Sequence, residues 1–136
     1  MNIITESTMI TDDQLEMFEG LRGLMPSWLH ELILRYSDTE LASHAYASCL
    51  TDYVYRTATI TLSPLFFTLD EKRQKQVAIH EVCHIVLEPF LYTLKGYVKF
   101  EEDEEGNVVP KPVLDGLESS VEDLSWIMLD LMKKER

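Results

Sequence analysis

The order of patterns along this sequence predicts an α+β fold, a small twisted sheet packed on helices. Three observations carry that reading. Thr57-Ala58-Thr59-Ile60-Thr61-Leu62 alternates small or polar residues with apolar ones and is rich in β-branched side chains, as a half-buried strand requires. Thr68-Leu69-Asp70-Glu71 is a capping box ahead of a long stretch free of Gly and Pro. Leu117, Val121, Leu124, Met128 and Leu131 then recur at the three-and-four spacing of a helix with one core face.

Residues 1–10 carry no clear period and are expected to be frayed or loosely attached. Thr11-Asp12-Asp13-Gln14 is a further capping box, opening a helix through about Arg22. Pro26 starts a short helical turn, with Trp28 and Leu29 as core anchors. Glu31–Tyr36 reads as a strand because the turn signal Ser37-Asp38 follows, and Ala45–Leu50 as another. Ser63-Pro64 ends the strand at Thr57–Leu62. The helix opened at Thr68 is expected to run through His80 to about Leu87, where Pro89 breaks or kinks it before the apolar Phe90-Leu91-Tyr92. Residues 99–113 read as an irregular acidic loop. Asp115 caps the last helix, which runs to about Met132 and ends in Lys133-Lys134, favourable for its dipole.

The chain has 136 residues, 46% of them hydrophobic, which suits one domain, 1–136, with a single core. Its 12 Lys and Arg stand against 24 Asp and Glu, for a formal charge of −12. So acidic a surface repels phosphate backbones, so no nucleic-acid partner is expected. Much of the excess lies in Glu101-Glu102-Asp103-Glu104-Glu105, a solvated run without the alternating carboxylates of a calcium loop. The apolar runs are too short to span a bilayer and the N-terminus lacks a basic segment and an apolar h-region, so neither a membrane nor a secretory role is expected. Two cysteines, Cys49 and Cys83, make no disulfide framework and fit a cytoplasmic setting.

The chemistry lies in His80-Glu81-Val82-Cys83-His84. Two histidines four apart leave the same face of a helix one turn apart, so two neutral imidazoles can bind one Zn²⁺ at about 2.0–2.1 Å. Glu81 stands one residue, about 100°, further round, where it reaches water beside the metal without being a ligand. A shuffled chain of this composition contains the pattern roughly one time in a hundred. The setting adds weight: Val77, Ala78, Ile79, Val82, Cys83, Ile85 and Val86 make the helix apolar nearly all round, hence buried. Histidines and a carboxylate on such a helix are costly unless something satisfies them, and a metal satisfies all three. Cys83 reads as a small core residue, not a ligand, and His30 and His44 as ordinary surface or core histidines.

A third ligand is needed. Leu87 and Phe90 stand where a three-histidine zinc motif would need Gly and His, which excludes that subclass. A carboxylate on the last helix is the better candidate. Stepping about 100° per residue from the centre of the apolar stripe puts Glu118 at its edge, near 100°, and Glu122 further round, near 140°. Glu118 is therefore the expected ligand and Glu122 the alternative.

In Pro26-Ser27-Trp28-Leu29, in Thr57–Leu62 followed by Pro64-Leu65-Phe66-Phe67, in His80-Glu81-Val82-Cys83-His84 and in Leu117–Leu124, the sequence resembles the short zinc metallopeptidase-like proteins of phages and prophages, in the gluzincin branch of the zincins. The likeness runs from about Pro26 to Leu131, and only the His-Glu-x-x-His piece is diagnostic. It implies a minimal zincin fold with a peptide or protein substrate lying along an edge strand, which Thr57–Leu62 would supply. It also implies His80, His84 and Glu118 as zinc ligands and Glu81 as general base. Tyr92 and Tyr97 are the candidates for a phenol beside the metal, or else core residues. Two other classes stay open. One is a non-catalytic zinc-binding regulatory or protein-interaction module, with Trp126, opposite the core stripe, either in a contact surface or packed on residues 1–25. The other is a metal-free protein with an incidental motif. Substrate specificity and oligomeric state are not legible.

Overall fold

The structure is a computed structural model and describes residues 1–39, 41, 44–97 and 111–134. The acidic run at 101–105 lies outside them, as does the side chain of Tyr97. The fold is α+β. Strands β1 (Asn2–Thr5), β2 (Glu31–Tyr36), β3 (Ala47–Asp52) and β4 (Thr57–Leu62) form a mixed sheet in the order β1-β2-β4-β3. β1, β2 and β4 are parallel, whereas β3 pairs antiparallel to β4 at the edge. Helices α1 (Asp12–Glu19), α2 (Glu71–Tyr97) and α3 (Lys111–Lys134) complete the described chain, with 3₁₀ turns at Arg22–Leu24 and Pro64–Thr68.

Alternation places Leu32 and Leu34 of β2 beside Ala58 and Ile60 of β4 on the buried face. Against this cluster sit Phe18 and Leu21 from α1 and its exit, Phe66, and Ile79, Val82 and Ile85 of α2. Arg56, between β3 and β4, has φ 60°, the left-handed conformation that lets a short connection reverse the chain. α2 is the central helix. By length and mean hydropathy, 1.3 over an 18-residue window, Glu71–Leu94 could pass for a membrane span; here it touches α1, β3 and α3 as a core helix.

Several boundaries differ from those expected. Residues 2–5 form β1, paired from Asn2↔Glu31 to Thr5↔Leu34; a partner so far along the chain leaves no mark in local periodicity. α1 stops at Glu19, and its Thr11 N–H is capped by Gln14 Oε1 at 2.8 Å. Pro26 begins a single turn closed by Leu29 N–H to Pro26 C=O, 3.1 Å, not a helix. β3 lies two residues later than expected. The cap of α2 is Asp70, whose carboxylate accepts the Arg73 N–H at 2.8 Å, while the Thr68 hydroxyl turns back to Leu65 C=O. Pro89 does not end α2. It removes one backbone donor, yet the helix continues, with Leu91 lining the cleft described below and the Tyr92 ring 5.0 Å from that of Tyr53. α3 begins at Lys111, so residues 111–113 are helix rather than loop. Pro112 sits in the first turn, where a missing N–H costs little.

α3 is also rotated from its expected face. Val121, Ser125 and Leu129 are fully buried, whereas Leu124 and Leu131 are 41% and 55% exposed. The buried stripe is shifted toward Glu118 and Glu122, so both carboxylates sit nearer to α2 than the apolar count suggested.

Candidate metal centre

His80 and His84 leave one face of α2 with ring centroids 5.1 Å apart. Glu118 arrives from α3. Its Oε1 lies 2.9 Å from His84 Nε2 and its Oε2 lies 3.3 Å from His80 Nε2. One donor atom from each of the three residues falls within 4.8 Å of the others, and among the described residues this is the group of that kind that forms. His30 and His44 are both exposed and outside it, with His30 3.4 Å from Arg56. Cys83 is buried, its thiol on Met128 Sδ at 3.6 Å.

Glu122, the alternative ligand, lies on the far side of the His80 ring, its Oε2 2.7 Å from Nδ1. An ionised carboxylate only accepts, so Nδ1 carries a proton; without a metal a protonated His80 also donates from Nε2 to Glu118, whereas a neutral His80 would offer its Nε2 lone pair to an ion. Gln76 Nε2 and Trp126 Nε1 each donate to Glu122 Oε1 at 3.1 Å, and Gln76 also bonds Ser125 at 2.6 Å. Gln76, Ser125 and Trp126 were not picked out by sequence reasoning for this role. The signal was present: Gln76 precedes His80 by four residues and Trp126 follows Glu122 by four, the helical spacing that brings side chains together. Trp126 lies against Lys72 and Arg73.

A cleft of about 410 Å³ opens over the group, between β3 (Ala47, Cys49, Thr51) and α2 (His80, Glu81, His84). The strand beside the histidines is thus β3 and not Thr57–Leu62. β4 is interior, its backbone groups used by β2 and β3 on either side, whereas β3 forms the edge of the sheet. Tyr92 stacks with Tyr53, which packs on Trp28, and does not line the cleft.

Electrostatics follow from this crowding. Burial opposes the charged form of His80, yet the Glu118 hydrogen bond, the Glu81 charge and the Glu122 hydrogen bond together raise its pKa above the ordinary 6.5. Hydrogen bonds from His80 and His84 hold the Glu118 carboxyl well below its ordinary range. Burial tends to raise Glu122, but the bonds from His80 and Trp126 bring it below 4.5. Glu81 is 6% exposed, and burial lifts its pKa above 4.5 against the pull of both imidazoles. These shifts set the pH dependence of the metal-free protein. His80, raised, contributes stability that is complete below 6.5 and lost as pH rises through its folded pKa. Glu118, depressed, contributes stability present above 4.5 and lost as pH falls through its folded pKa. Glu81, raised, adds a cost that grows above 4.5. Chelator-treated protein is therefore expected to melt highest between 4.5 and 6.5 and lower at alkaline pH. A thermal midpoint that climbs steadily toward pH 8 contradicts this.

No family model, curated protein or solved structure matches the chain. Function rests on the geometry.

Proposed function

We propose that this protein is a zinc-dependent metallopeptidase of the gluzincin type, hydrolysing peptide bonds with Glu81 as general base. One observation carries the reading: two Nε2 atoms and the Glu118 carboxylate converge on the floor of a cleft that Glu81 also lines. The donor set suits zinc. Three ligands at about 2.0–2.2 Å around a tetrahedral ion stand roughly 3.4 Å apart, and here one donor atom from each residue lies within 4.8 Å of the others, with one Glu118 oxygen near each imidazole. The group has three protein donors among the described residues and faces open cleft, the pattern of a catalytic rather than a closed structural site. The resemblance to the short phage and prophage metallopeptidase-like proteins points the same way.

Bound there, zinc supplies a Lewis acid that acidifies water and polarises a carbonyl. The chain's own residues do the rest. Glu122, held by Gln76 and Trp126, fixes the His80 tautomer and ring orientation. Glu81, its basicity raised by burial, takes the proton of the water that attacks the peptide carbon and hands it to the departing amine. Among the described residues no strand pairs with the outer edge of β3, which offers N–H and C=O groups to an extended peptide. Free Cys49 and Cys83 are compatible with action in a reducing cytoplasm, that of the host if the protein is phage-encoded.

Elemental analysis of protein purified without added zinc, with digestion of a peptide mixture with and without chelator, tests the reading. About one zinc per chain and chelator-sensitive cleavage support it. Zinc without cleavage makes the protein a zinc-binding interaction module, and absence of zinc makes the motif incidental. Glu122→Gln and Trp126→Phe are expected to keep Glu118 in place yet loosen His80. Zinc affinity then falls by about 10–100-fold for Glu122→Gln and by less for Trp126→Phe, as read by chelator competition. Unchanged affinity in both would remove Glu122 from the site.

A further inference from the structure

Arg73 lies on α2 seven residues before His80, two helical turns and about 10 Å away on the same face. Its guanidinium is packed over two rings, 5.4 Å from the centroid of Trp126 and 5.7 Å from that of Tyr46. Both rings hold it in place without using a donor. Nη1 bonds Gln76 Oε1 and lies 3.5 Å from Glu122 Oε1. Among the described residues Nε and Nη2 have no hydrogen-bond partner, which leaves most of a planar fork of donors unspent. The side chain is one-third exposed and lines a second hollow of about 140 Å³ with Tyr46, Ala47, His80, Glu81 and Glu122. Because Ala47, His80 and Glu81 line both hollows, the second continues the main cleft past the histidines.

The continuous cleft has a direction, and among its described lining residues Arg73 is the one permanent cation, set at the Tyr46 end beside Glu122. β3 runs from Ala47 to Thr51 alongside α2, so its start faces Arg73 and its end faces Glu88. In a chain with twice as many acidic as basic residues, the Tyr46 end is where Arg73 and Lys72 gather around Trp126. A peptide joining the free edge of β3 in the more stable antiparallel sense enters at the Thr51 end and leaves at the Ala47 end. At about 3.3 Å per residue, the span from His80 to Arg73 covers roughly two to four residues on the C-terminal side of the bond over the histidines.

We infer that Arg73 forms an anionic subsite, selecting peptides that carry a carboxylate two to four residues after the cleaved bond. This rests on the peptidase reading above. The carboxylate can be an Asp or Glu side chain or a free C-terminus, and either matches the unspent donors of the guanidinium.

Digestion of a random peptide mixture by the zinc-loaded protein, with mass spectrometry of the new termini, tests the inference. Acidic residues or chain ends are expected to be enriched at those positions. Matched peptides then separate the two sources, Glu against Gln at the enriched position and C-terminal acid against amide, with about a tenfold preference expected for the anionic member. Arg73→Gln is expected to bring that ratio to about one. If Arg73 acts only by supporting Glu122, the variant slows both members equally, which overturns the subsite. No acidic preference, or one on the N-terminal side, also overturns it. Binding of the same peptide pairs to zinc-loaded Glu81→Gln protein, by titration calorimetry, reads the subsite without hydrolysis. Preferential binding of the anionic member there, with no cleavage by the parent protein, upholds the subsite while the peptidase reading fails; equal binding overturns the subsite alone.

Discussion

Glu81→Gln is expected to retain zinc and lose peptide hydrolysis by about 10²–10⁴-fold, the usual contribution of a positioned general base. The substitution keeps the shape of the side chain but removes its charge and its ability to take a proton. Glu81 is almost wholly buried, and among the described residues no hydrogen-bond donor reaches its carboxylate. A charge in that position carries a desolvation cost, which appears as its raised pKa. A neutral amide relieves part of that cost, so the variant should melt at the same temperature as the parent or higher. Unchanged zinc content, an equal or raised thermal midpoint and vanished cleavage together separate a catalytic role from a structural one. Cleavage within tenfold of the parent rate would take Glu81 out of the mechanism.

His80→Ala is expected to strip the metal, lowering zinc from about one per chain to near zero after dialysis. The remaining pair, His84 and Glu118, leaves too few ligands for tight binding. Loss of zinc is also loss of stability. An ion present at a hundred times its dissociation constant contributes about 2.7 kcal/mol, which the variant forgoes. Its melting temperature should no longer respond to chelator, whereas that of the parent should fall. Glu118→Ala should behave in the same way. Glu122→Ala should keep weakened binding, because its carboxylate meets Nδ1 of His80 rather than the common centre. If Glu122→Ala strips zinc while Glu118→Ala retains it, the two roles are reversed.

The two α3 carboxylates illustrate how far a sequence can be read. Counting around a helical wheel ranked Glu118 ahead of Glu122, yet it used a stripe containing Leu124 and Leu131, which are exposed. The true face includes Ser125, a polar residue that joins it by bonding Gln76 of another helix. Periodicity weighs each residue by its own hydrophobicity, so a serine buried through a partner 49 residues away escapes it. Pro89 is a similar case: a local rule against helix did not end α2, which continues to Tyr97.

Local chemistry alone determined the α+β class, the extents of β2 and β4, and the placing of His80, Glu81 and His84 on one helix, because strand alternation and the four-residue spacing act within a few residues, whereas Val86, expected on a buried helix, is 43% exposed. Tertiary structure decided that residues 2–5 join the sheet, that β3 and not β4 is its edge, and that Glu122 stands behind His80 while Glu118 faces both rings. Those outcomes depend on which distant surfaces meet, and no short window of sequence contains the partner that settles them.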